Sequence, residues 1–206
     1  MPRTRSIPEE QTLERALHVF WARGYDRASV ADLCQATGLG PSSIYNAFGS
    51  KLEFFKKALN HYLTKYASSA VGELSPDRPA YDSVRGFLRG VVTLCTSETS
   101  PPGCFLMQSG GAGSSEISEA CAVTNEIKSS LQIAIRDVLS ARQVAGDTLT
   151  GEPHTLSLYV MAAMRGLSQL ACDGATEEEL LSVADLAAAS CVKQSAQISP
   201  SADPPL

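Results

Sequence analysis

The sequence predicts an all-α fold, in which a small N-terminal three-helix domain of helix-turn-helix form precedes a larger helical domain. Three observations carry this. Ser29 to Phe48 reads as a helix, a glycine turn and a second helix. Most of the remaining chain repeats apolar residues at helical spacing between Pro- or Gly-containing stops. The last two helical segments carry more apolar and small residues than one buried stripe requires.

The elements follow in order. A first helix over about Glu9 to Arg23 puts Leu13, Ala16, Leu17 and Phe20 on one face and ends at Gly24. Ser29 is placed to N-cap the second helix, whose Val30, Leu33 and Cys34 form its apolar face. Gly38 supplies the left-handed residue that lets the chain leave one helix and enter the next within a few residues. Pro41 suits the first position of the third helix, which turns Ile44 and Phe48 inward and leaves Ser42, Ser43, Tyr45 and Asn46 outward. Ser50 caps a fourth helix running toward Tyr66 through Leu52, Phe55, Leu59, Tyr62 and Leu63, the connector between domains.

Ser75-Pro76-Asp77-Arg78-Pro79 is the clearest break. Ala80 to Ser97 then reads as a helix stopped by Pro101-Pro102-Gly103, and Cys104-Phe105-Leu106-Met107 starts a short one. Gly110-Gly111-Ala112-Gly113 is a turn, because each glycine inside a helix costs roughly 1 kcal/mol relative to alanine. A long helix over about Ser115 to Arg142 follows, then a pair over Thr155 to Cys172 and Glu177 to Val192. This pair fits half of an intermolecular four-helix bundle closed by twofold symmetry. The domain limits are 1–50 and 51–193, with 194–206 expected to be a disordered tail rich in Ser, Pro and Ala.

At Phe20-Trp21-Ala22-Arg23-Gly24-Tyr25, at Ser29 to Phe48, and at Phe48-Gly49-Ser50-Lys51-Leu52-Glu53-Phe54-Phe55, the chain resembles the N-terminal domain of TetR/AcrR-type transcriptional regulators. These are several ordered motifs at fixed spacing over the first third of the chain, more specific than a lone helix-turn-helix. The resemblance implies a DNA-binding domain joined to a ligand-binding and dimerising domain. It also implies a homodimer on a double-stranded DNA operator, responsive to a small-molecule effector not yet known. The chain departs from the family pattern at Gly40-Pro41, where Ser-Lys is usual, and at Asn46-Ala47. The scaffold is untouched by these changes, while the operator sequence is not carried over.

Charge agrees with that division. The chain has a formal net charge of -5, yet Met1 to Tyr66 carries +3 and the remainder -8. A basic module on an acidic body is the asymmetry of a protein that presents one end to phosphate. The DNA-facing set is Ser29, Ser42, Ser43, Tyr45, Asn46 and Lys51, with Tyr45 and Lys51 resembling the family's phosphate contacts and Ser42, Ser43 and Asn46 suited to base edges. The apolar ligand set is Phe87, Val91, Cys104, Leu106, Met107, Cys121, Tyr159 and Met164. Cys104 is singled out as a thiol that a helix start would acidify, a device for sensing oxidants or electrophiles.

Other classes find little support. The six cysteines lack CxxC pairs and the three histidines lie far apart, so neither a metal site nor a disulfide framework is expected, and no cofactor. No apolar run has the length of a membrane span, which points to a cytoplasmic protein. Ser109 to Gly113 lacks both the Gly-x-Ser-x-Gly elbow and the Gly-Lys-Ser/Thr ending, so no catalytic residue is assigned. The alternative is a helical small-molecule-binding protein or enzyme without DNA binding.

Overall fold

The computed structural model describes residues 8–109 and 119–193. Among these the chain forms ten α-helices and no β-strand. They are α1 (Glu9–Arg27), α2 (Val30–Thr37), α3 (Pro41–Phe48), α4 (Lys51–Tyr62), α5 (Ser68–Gly72), α6 (Ala80–Cys95), α7 (Phe105–Gln108), α8 (Glu119–Val144), α9 (Pro153–Cys172) and α10 (Glu177–Ala189). A single π-turn, Leu63–Ala67, joins α4 to α5. The glycine turn expected at Gly110 to Gly113, the start of the long helix at Ser115 and the tail 194–206 lie outside the described residues.

Local chemistry accounts for most boundaries. Ser29 and Asp32 form a reciprocal capping box at α2, and Thr176 and Glu179 form another at α10. Ser50 accepts the Glu53 N–H at the start of α4, while Pro41 and Pro153 occupy first-turn positions of α3 and α9. Gly38 closes α2 at φ 74°, ψ 8°, the left-handed conformation that a side-chain-bearing residue takes only at a cost.

α1 breaks at Gly24 as expected, where the backbone turns to φ 73°, ψ 163° before one further turn to Arg27. The structure corrects the expected elements elsewhere. The connector is not one regular helix to Tyr66 but gives way to the π-turn after Tyr62. α6 stops at Cys95 and α10 at Ala189, each a little short of expectation.

In the small domain, α1 lies along α4, and α2 and α3 close it. In the larger domain α6 packs on α9 and α10, α8 packs on α9, and α8 also touches α4. One buried cluster runs through both domains. Its centre is aromatic: Phe20, Trp21, Tyr25, Phe48, Phe54, Phe55, Tyr62, Tyr66 and Phe105 make a chain of ring contacts. Such pairs add about 0.5–1.5 kcal/mol each beyond the area they bury, so the two domains share a stiff seam.

Candidate nucleic-acid interface and ligand cavity

The third helix presents the surface that its sequence implied. Ile44 and Phe48 are buried, and Phe48 stacks on Phe54 at 3.9 Å, which anchors α3 on α4. Ser42, Ser43, Tyr45, Asn46 and Ala47 are all exposed, and Tyr45 turns 48% of its surface to solvent. The Ser29 side chain is committed to its cap, accepting the Asp32 N–H at 3.1 Å and donating to Asp32 Oδ2 at 2.7 Å. Arg23 holds the same carboxylate at 2.6 Å, tying α1 to the start of α2. Lys51 sits with its Nζ 4.4 Å from the Tyr25 ring centre, and burial pulls its pKa below the ordinary lysine range against the field of Asp26.

A cavity of about 270 Å³ lies in the larger domain between α4, the π-turn, α5, α6, α7, α8 and α9. Phe87, Val91, Cys104, Leu106 and Met164 of the expected ligand set line it, together with Tyr62, Leu63, Ala67 and Leu131, which that set left out. Met107, Cys121 and Tyr159 do not line it. Met107 is buried, and Cys121 borders a separate crevice between the end of α1 and α7. Tyr159 is 41% exposed on the outer face of α9, because adjacent helix positions point about 100° apart and Val160 and Met164 take the inward direction.

Cys104 does not have the acidified thiol expected of it. It is fully buried, and that burial pushes the thiol above its ordinary range. Hydrogen bonds from Tyr62 and from the Met107 and Leu106 N–H groups, and the field of Lys128, oppose the shift without reversing it. Tyr62 Oη and Cys104 Sγ lie 3.1 Å apart, and the Cys104 N–H donates to Ser168 Oγ at 2.8 Å. Gly103 precedes it at φ 84°, where a Cβ would stand 2.9 Å from the Ser168 carbonyl oxygen, so glycine is required for α7 to seat on α9. Lys128, unremarkable in the sequence of a long helix, is buried and donates to the Ser109 carbonyl at 2.9 Å.

α7 is also where the cavity meets the DNA-facing domain. Cys104 and Leu106 face the cavity, while the Phe105 ring between them packs on Trp21 at 5.8 Å, Phe55 at 5.7 Å and Tyr62 at 5.4 Å. A second tie crosses from α1 to the connector: Glu14 receives Tyr66 Oη, His61 Nε2 at 2.7 Å and Lys65 Nζ at 2.9 Å. Burial works to raise the Glu14 pKa, but these hydrogen bonds outweigh it and hold the carboxyl at about 2. Neither junction left a signal in the sequence, since each joins residues dozens of positions apart.

On the outer face of α9 and α10, Leu158, Tyr159, Leu170, Val183 and Leu186 are exposed, Leu186 at 68%. Ala162 and Gly166 fall on the same side of α9, with open space above Gly166. Among the described residues no group of three or more His, Cys, Asp or Glu is placed to hold a metal, and no helix is long and apolar enough to cross a membrane.

A helix-turn-helix on an aromatic seam, joined to a helical body with an apolar cavity, is the form of a DNA-binding regulator of transcription. Residues 13–58 match the family described as bacterial regulatory proteins, tetR family. The chain is 24% identical over 187 residues to the HTH-type transcriptional repressor ComR of Escherichia coli (strain K12), covering 88% of each chain. It is 26% identical over 185 residues to the repressor BdcR of the same organism, covering 90% of this chain and 89% of that one. Among solved structures it is similar to a cysteine mutant of the TetR family regulator CifR in complex with 26-bp operator DNA. That likeness has a TM-score of 0.83 and 30% identity over 90% of this chain and 98% of that one. The chain belongs to the TetR family of bacterial transcriptional regulators. It is a DNA-binding regulator and, like these repressors, not an enzyme.

Proposed function

We propose that this regulator is a homodimeric repressor that leaves a palindromic operator when its cavity is filled. The observation that carries the reading is the position of α7: its Cys104 and Leu106 are cavity wall, and its Phe105 is wedged into the aromatic seam of the DNA-facing domain. A ligand that displaces α7 displaces α1 and α4 with it. Two recognition helices of a dimer must stand about 34–36 Å apart to enter successive major grooves, so a small rotation of each small domain misplaces both. By linkage, the effector weakens DNA binding by the factor by which DNA weakens the effector.

In this reading Ser42, Ser43 and Asn46 face base edges, and Tyr45 and Lys51 hold phosphates, with Lys51 leaving its place over Tyr25 to do so. Ser29 acts through the geometry of α2, since its hydroxyl is occupied by Asp32. The dimer forms through α9 and α10, whose exposed apolar stripe and small residues suit a four-helix bundle with a second copy. A gel shift against DNA flanking the protein's own gene tests DNA recognition. One shifted species per palindrome, lost on mutating either half-site, is the expected result; no shift there or on randomised palindromes would leave the helical ligand-binding alternative.

A second route to release is favoured by one feature, the Cys104 sulfur in the cavity wall. Burial keeps this thiol protonated and slow, so only a reagent that enters and dwells in the cavity reacts: a quinone adds to the sulfur with the thiol proton passing to the ring, or peroxide transfers one oxygen to give the sulfenic acid and water, and the enlarged side chain then takes space a ligand would fill. Peroxide or a quinone should abolish the wild-type gel shift and spare Cys104→Ser. Equal responses of both proteins exclude the thiol as the trigger.

A further inference from the structure

We infer that the cavity selects an uncharged, hydrocarbon-like molecule of roughly ten to twelve non-hydrogen atoms, and rejects carboxylates and phosphate-bearing ligands such as acyl-coenzyme A thioesters. The inference rests on the reading of this cavity as the effector site and adds the chemistry of the effector. Size comes first. A dry cavity of about 150 Å³ accommodates benzene, so the roughly 270 Å³ here, which opens to solvent past Val71, Ser130 and Ala134, scales to a bicyclic or branched hydrocarbon.

Charge decides the class. Among the described residues no Asp, Glu, Lys, Arg or His lines the cavity, and its walls are set by Leu63, Ala67, Phe87, Val91, Leu131 and Met164. The polar atoms it borders have partners already: Tyr62 Oη and Cys104 Sγ bond each other, and Ser130 Oγ donates to the Glu126 carbonyl at 3.0 Å. The cations of the same helices are turned elsewhere. Arg85 and Arg89 of α6 hold Asp185 of α10, and Lys128 of α8 holds the Ser109 carbonyl. An ionised group pushed inside this space loses its hydration and meets no contacting counter-charge or free donor, only the field of Lys128 felt through Cys104, whereas an apolar ligand gains contacts with the walls.

The test uses the full chain and equilibrium dialysis with naphthalene, 2-naphthoate and pyrene. Naphthalene is expected to bind one molecule per chain, at least about a hundredfold tighter than 2-naphthoate, which has the same frame with a carboxylate added. Pyrene, too large for the space, is expected not to bind. Leu131→Arg, at a half-buried wall position, should narrow or invert the preference for naphthalene over 2-naphthoate. Binding of 2-naphthoate as tight as that of naphthalene, or no binding of naphthalene, overturns the inference. A gel shift with saturating naphthalene separates the two claims: binding without release of DNA refutes the cavity as effector site and leaves its ligand chemistry standing.

Discussion

Glu14 offers the sharpest test of how the two domains are joined. Glu14→Gln keeps the shape of the side chain but removes its charge and turns one acceptor oxygen into a donor amide, so Tyr66, His61 and Lys65 lose the carboxylate that holds α1 to the connector. The carboxyl is held from an ordinary 4.5 down to about 2, which corresponds to about 3 kcal/mol of stabilisation of the charged form. With 24% of the side chain in water, screening reduces the usable part to about 2 kcal/mol. The sign follows from the direction. A depressed carboxyl contributes its full stability above pH 4.5 and loses it as pH falls toward 2, because the unfolded chain takes up the proton first. More than half of the contribution should be gone by pH 3. Urea unfolding followed by circular dichroism, at fixed protein concentration and at pH 7, 4 and 3, measures it. The variant should be about 2 kcal/mol less stable at pH 7, and the gap should shrink at pH 3. A gap below about 0.5 kcal/mol at pH 7, or one of constant size across that range, would refute the reasoning.

Three further outcomes are expected. Lys51→Ala should weaken binding to all DNA sequences alike and reduce the log–log salt slope by roughly one, since one phosphate contact fewer releases one counterion fewer; an unchanged slope removes Lys51 from the interface. Leu186→Glu or Ala162→Glu should yield monomers by sedimentation and abolish operator binding. Ala187→Glu is the wrong probe of that face, because Ala187 is buried within its own chain and its substitution should unfold the domain. Phe105→Leu should cost about 1–2 kcal/mol in stability and weaken the coupling between cavity and operator. Equal ligand-induced release in wild type and Phe105→Leu would show that the message travels elsewhere.

What the sequence determined by itself was everything local in origin. The caps at Ser29 and Ser50, the left-handed stop at Gly38 and the first-turn Pro41 act within a few residues. They were legible because capping and turn chemistry depend on neighbours in the chain. The same holds for the inward pair Ile44 and Phe48, since helical period alone divides an eight-residue helix into two faces. Five of the eight expected ligand residues came together for a related reason: apolar residues on inward faces converge on the interior, where any cavity must lie.

Tertiary structure alone decided how those faces meet. On α9, apolar all round its circumference, period alone cannot say which face packs, so Tyr159 was drawn inward by its apolar ring while α9 turned Val160 and Met164 to the core. The Cys104 thiol depended on the same kind of information. Position at a helix start argues for a lowered pKa, but desolvation by α4, α6 and α9 is the larger effect, and a linear sequence contains no measure of it. The Glu14 tie and the wedge of Phe105 join residues far apart in the chain. Their energies exist only once the helices have docked.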